Sequence, residues 1–129
     1  MFSHVMLGTN DIEKSKIFYD ATLAVLGFEP AVLDEAKQRF FYLSESGVFA
    51  ITKPINGEAA SHGNGSTIGF KAATPELVDA WHAAGVAAGG ETCESAPGIR
   101  DGGARKLYLA YLRDPSGNKI CATCMLSND

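Results

Sequence analysis

The chain has 129 residues, of which 46% are hydrophobic, 9% aromatic and 20% charged, a composition that suits one globular unit and leaves little length for a second core. Eleven Lys and Arg against fifteen Asp and Glu give a formal charge of −4 with no block of like charge, which argues against a broad nucleic-acid footprint or a basic membrane face. No apolar run reaches the roughly 18 residues of a membrane-spanning helix, the N-terminus lacks a secretory pattern, and three cysteines are an odd number for a disulfide scaffold, so the cytoplasm is the expected compartment.

In chain order, Ser3 to Leu7 alternates as a strand does. Asn10, with Glu13 three residues later, has capping-box spacing and opens a helix expected to run to about Leu26 and stop at Gly27. Three β-rich segments follow, Phe28 to Leu33, Arg39 to Glu45 and Val48 to Lys53, with a turn at Ser44-Glu45-Ser46-Gly47. Beyond a glycine-containing linker, Ser66 to Phe70 reads as a strand. Thr74-Pro75 caps and opens a second helix, and Gly89-Gly90 ends it. Glu91 to Glu94, Lys106 to Arg113 and Asn118 to Met125 close the series, with Asp114-Pro115-Ser116-Gly117 as the last turn.

The order occurs twice. An offset of 63 residues (67 minus 4) pairs His4 with Thr67, Phe18 with Trp81, Ala21 with Ala84 and Gly27 with Gly90. Two tandem βαβββ modules result, about 1–55 and 66–127, joined by a linker at about 56–65 within one domain of 1–129. The second helix carries one apolar stripe, Leu77, Val78, Trp81, Ala84, Gly85 and Ala88. The first carries two, Ile17, Phe18, Ala21, Ala24 and Val25 on one side, and Ile12, Tyr19, Leu23 and Leu26 on the other. Its second contact is the other module or another subunit.

The opening strand with His4, the segment Asp11 to Phe28, the run Gly63 to Phe70 and above all Tyr111-Leu112-Arg113-Asp114-Pro115-Ser116-Gly117-Asn118-Lys119-Ile120 resemble the vicinal oxygen chelate superfamily. This group holds glyoxalases, bleomycin-resistance proteins and extradiol dioxygenases. The resemblance spans essentially the whole chain. It implies an α+β fold in which the two modules curl into a half-open barrel around a cavity, usually as a homodimer. If Val5 and Leu7 face the helices, then His4 and Met6 face the cavity, and by the repeat so do Thr67 and Gly69.

The metal site implied by this family takes a His from the first strand, a His from its counterpart and a Glu after the Asp-Pro-x-Gly-Asn turn. Such a set leaves open positions for a substrate's paired oxygens. His4 matches the first ligand, but Thr67 and Cys121 stand at the other two positions, and Ile51 stands where some members have a fourth. No cofactor is expected on this donor set; a divalent metal at His4 is the alternative.

His62 in the linker is read as a loop histidine and His82 as solvent-facing. In Cys121-Ala122-Thr123-Cys124 the odd spacing sends the two sulfurs to opposite faces of a strand, which argues against a redox or zinc pair. The stretch 96–106 reads as a pliable basic loop whose Arg100 could grip a carboxylate, and the resemblance adds Tyr108 to the pocket. The expected substrate-binding set is thus His4, Thr67, Arg100, Tyr108 and Cys121, with a small polar or anionic metabolite as ligand and neither nucleic acid nor membrane as partner. Two alternatives stay open: a metal-dependent lyase, similar to lactoylglutathione lyase, or dioxygenase with relocated ligands, and a non-catalytic drug-sequestering dimer.

Overall fold

A computed structural model describes residues 1–126; Ser127, the expected end of the second module, lies outside the described residues. The first unit comprises β1 (His4–Gly8), α1 (Ile12–Val25), β2 (Val32–Asp34), β3 (Arg39–Ser44) and β4 (Gly47–Thr52). The second comprises β5 (Ile68–Lys71), α2 (Pro75–Ala87), β6 (Glu91–Thr92), β7 (Gly98–Asp101), β8 (Lys106–Arg113) and β9 (Lys119–Met125). One sheet has the order β1-β4-β3-β2, and the other β5-β9-β8-β6 with β7 also pairing β8. In each, the first strand lies parallel to the last and the remaining pairs are antiparallel. The fold is α+β with two mixed sheets, and β1 and β5 remain edge strands, so no barrel closes.

The stretch expected as a loop after α2 contains β7, with Arg100 paired opposite Leu107. Gly98 and Gly102 bracket the strand and obscure its pattern in the sequence.

Helix α1 is capped by Asp11, whose side chain accepts from the Lys14 amide, and not by Asn10. Asn10 is engaged elsewhere: its side chain accepts from the Ala60 amide at 2.7 Å and donates to the Ala60 carbonyl, fastening the linker. Thr74 caps α2 as its sequence predicts.

A core of Phe18, Tyr19, Leu23, Val78 and Trp81 from the helices meets Phe40, Tyr42, Phe49, Ile51, Leu112 and Ile120 from the sheets. The two predicted stripes of α1 merge into one buried arc, Ser15, Phe18, Tyr19, Thr22 and Leu23. Tyr19 packs on Phe49 of its own sheet, while Phe18 and Thr22 lie against Gly85 of α2, so the second contact is the other module. A Cβ on Gly85 would strike Leu112 Cδ1, which explains the absence of a side chain at this helix crossing. Ile17, expected inside, is 63% exposed.

The Asp114 turn joins the two units. The buried Asp114 carboxylate accepts from the Tyr19 hydroxyl at 2.5 Å, from the Ser116 and Asn118 amides and from the Asn118 side chain. Asn118 also donates to the Gly8 carbonyl at 2.9 Å, and the Ser116 hydroxyl meets Thr9 and the Asn10 amide. Burial, followed by the nearby Asp114 charge, pushes the Tyr19 phenol well above its ordinary pKa. On the other flank Asp20 receives Tyr42, Lys16 and the Ala31 amide. Desolvation opposes its ionisation, but these donors outweigh it and hold the carboxyl below the usual range.

Candidate functional site

Alternation along β1 sends Val5 and Leu7 into the core and leaves His4 and Met6 on the opposite, concave face. Ile68 and Phe70 likewise pack on the core while Gly69 is exposed; Thr67 is exposed one residue before β5. Where the edges of β1 and β5 approach, a cavity of about 440 Å³ opens, with His4, Gly69 and Lys71 on its polar side and Phe28, Phe49 and Phe70 among its walls. Phe49 and Phe70 meet edge to face at 5.0 Å across this seam. His4 Nδ1 lies 2.7 Å from the Ser3 hydroxyl.

The five predicted site residues are dispersed. Of them only His4 lines the seam cavity. Cys121 lies on the same concave face one strand further in, beside Gly69, where a Cβ would approach the sulfur to 3.1 Å. Arg100 donates to the carbonyls of Ser95 and Ala96 in its own loop. Tyr108 is on the wrong face for the expected role: it pairs with Cys124, and its hydroxyl donates to Asp79 of α2 at 2.8 Å. The hydrogen bond to Asp79 raises its pKa.

The tyrosine on the concave face is Tyr111, opposite Cys121. Lys119 sits 4.9 Å above its ring and ion-pairs with Glu94, whose backbone takes a positive φ of 59°. Burial raises the Tyr111 pKa, the Cys121 and Glu94 charges add to it, and Lys119 and Arg100 oppose it. Sequence reasoning missed this group. The odd spacing between Tyr108 and Tyr111 was the available signal, since only one of the two can share a face with Cys121.

The two cysteines of C-x-x-C leave opposite faces, Cys124 contacting the Ala73 carbonyl on the helix side. Burial raises the Cys121 pKa, against the opposing pull of the Thr123 hydroxyl and Lys119, which disfavours the thiolate. In the folded protein at about pH 7.5, iodoacetamide is expected to label the half-buried Cys93 before Cys121, as read by peptide mass spectrometry. Equal labelling would place a thiolate at Cys121.

A divalent ion of the family's kind does not fit these residues. Across the seam from His4, Thr67 precedes β5, β5 offers Gly69, and β9 offers Cys121. The counterpart of Cys121 in the first sheet is Ala50, not Ile51, because β1 pairs Met6 with Ala50 where β5 pairs Gly69 with Cys121. Ile51 is buried in the core. His62 packs against Gly117, near the Gly8 end of β1, and so stands at the opposite end of that strand from His4. His82, expected in solvent, is half-buried, and its pKa is lowered by burial against the opposing charge of Asp79. Among the described residues no three His, Cys, Asp or Glu side chains gather as a metal site. No described helix is long and apolar enough to cross a membrane.

Comparison with solved structures gives a match at 64% identity and TM-score 0.93 to a glyoxalase/bleomycin resistance protein from Albidiferax ferrireducens T118, covering 96% of this chain and 98% of that one. A glyoxalase-related enzyme from Fulvimarina pelagi (22% identity, TM-score 0.73, covering 96% and 87%) shares the fold. So does a lactoylglutathione lyase from Agrobacterium tumefaciens (20%, TM-score 0.66, 96% and 92%). No curated protein matches. The family described as Glyoxalase/Bleomycin resistance protein/Dioxygenase superfamily matches residues 1–122, and the chain belongs to it.

Proposed function

We propose that this glyoxalase-like chain binds a small polar or anionic metabolite at the seam between its modules, without a resident divalent metal. The observation that carries this reading is the seam cavity itself, in which His4 and Lys71 supply polar groups beside aromatic walls while the strand positions facing His4 hold no second imidazole or carboxylate. An imidazole and an ammonium suit a carboxylate, and phenylalanine edges suit the apolar remainder of the molecule. The same walls favour sequestration over turnover as the second reading. A cytoplasmic location and a homodimer belong to the proposal, the exposed Ile17 on α1 being an apolar group available to a second copy.

The test is metal analysis of protein purified without chelators, joined to thermal-shift screening against small carboxylates. Substoichiometric metal, with ligand stabilisation that His4→Ala removes, is expected. Stoichiometric Ni, Zn, Fe or Mn with metal-dependent turnover would overturn the proposal.

A further inference from the structure

At the far end of the first sheet, the turn between β2 and β3 and the segment after β4 enclose a cleft of about 370 Å³ lined by Ala36, Lys37, Gln38, Arg39, Lys53 and Pro54 among others. Three of its lining residues are cationic and none is acidic, in a chain whose formal charge is −4. Among the described residues none of the three cations forms an ion pair. Of the nearest acids in sequence, Asp34 stands opposite Arg39 in the β2–β3 pairing and its carboxylate accepts from the Lys37 amide, but neither it nor Glu35 nor Glu58 lines the cleft.

Of the three cations, Arg39 is held in place by its side chain, while Lys37 and Lys53 are exposed and anchored through their backbone amides. The Arg39 side chain is half-buried and its Nε donates to the Thr52 hydroxyl, which itself donates to the Lys53 carbonyl. That contact uses the inner nitrogen and leaves both Nη groups for a ligand. Gln38 is fixed by its side-chain bond to the Glu35 carbonyl and by the Lys53 amide on its own carbonyl. Its φ of 54° turns the chain so that Lys37 and Arg39 flank the same cleft. Lys53 closes it from the neighbouring strand end. A preoriented guanidinium between two ammonium groups is complementary to a compact, multiply charged oxyanion.

We propose that this cleft is an anion site, separate from the seam cavity, that takes the phosphate group of a small phosphorylated molecule. Ile55, 93% exposed at the rim, offers an apolar surface to the remainder of such a ligand.

The test is a backbone amide NMR titration of the full chain with inorganic phosphate and, separately, phenyl phosphate. Saturable shifts confined to the Lys37, Gln38, Arg39 and Lys53 amides are expected, with phenyl phosphate binding more tightly. Arg39→Gln should weaken binding about tenfold while the rest of the spectrum stays in place. Lys53→Gln, on the opposite wall, gives a second reading should Arg39→Gln disturb the strand. Absence of saturation up to about 10 mM, shifts centred elsewhere, or unchanged affinity in both variants would overturn the proposal. Because the seam cavity shares none of these residues, failure here leaves the reading of His4 standing.

Discussion

Asp114→Ala is expected to destabilise the protein by about 3–5 kcal/mol, the largest effect of any single polar substitution in this chain. The carboxylate is buried and accepts four hydrogen bonds from Tyr19, Ser116 and Asn118, and among the described residues it forms no ion pair. Its removal strands the Tyr19 hydroxyl in the core and frees Asn118, whose other bond holds the Gly8 carbonyl of the first unit. Asp114→Asn keeps an acceptor for the two amides and should fall between Ala and wild type. Tyr19→Phe removes one donor of four and should cost about 1–2 kcal/mol. Urea denaturation of the three single variants and of the Asp114→Ala/Tyr19→Phe double variant checks this. The double variant should lose less than the two singles together, since one bond is counted twice. Strict additivity would show that the hydroxyl and carboxylate do not act as a pair.

Trp81→Ala is expected to cost about 3–5 kcal/mol, because the indole is fully buried where α2 packs on the second sheet and its loss leaves a void. Trp81→Phe should behave differently. The indole Nε1 is buried and has no hydrogen-bond partner among the described residues. Replacement by a phenyl ring loses volume but also removes that unsatisfied donor, whose burial costs about 1–3 kcal/mol. A net loss below about 1.5 kcal/mol is therefore expected by thermal or chemical denaturation. A Trp81→Phe variant as damaged as Trp81→Ala would mean that the nitrogen finds a partner in solution.

The duplicated order of elements, the Thr74 cap and the alternation that sets His4 opposite the core were legible in the sequence because each depends on neighbours a few residues apart. The misplaced features depend on distant partners. Asn10 and Asp11 both have a helix-capping side chain at the right spacing, and the linker at Ala60 decides between them by occupying Asn10. Matching Ile51 to Cys121 by counting from the turn glycines fails by one residue. The strand pairings relate Phe41 to Tyr111 by 70 positions and Ala50 to Cys121 by 71. A slip of one residue along a strand exchanges its faces, which is why Ile51 is in the core and Ala50 is the true counterpart. Tyr108 and Tyr111 pose the same problem, and only the pairing of β8 with β9 resolves it. Glu94 lies just before, and Arg100 within, the short strand β7, which the surrounding glycines and turns mask in the sequence.

The clasp around Asp114 also bears on how the chain reaches this state. Thr9 and Ser116 lie 107 positions apart, and Asn118 and Gly8 lie 110 apart, while β9 occupies an interior place in its sheet between β5 and β8. During synthesis Gly8 and the α1 junction emerge more than 100 residues before their partners, and the second sheet lacks an interior strand until β9 has emerged. Closure of so long a loop must precede the contacts that reward it, which favours slow folding once β9 has been made. The nascent N-terminal half, with its β1 edge uncovered, is the species most dependent on protection from aggregation.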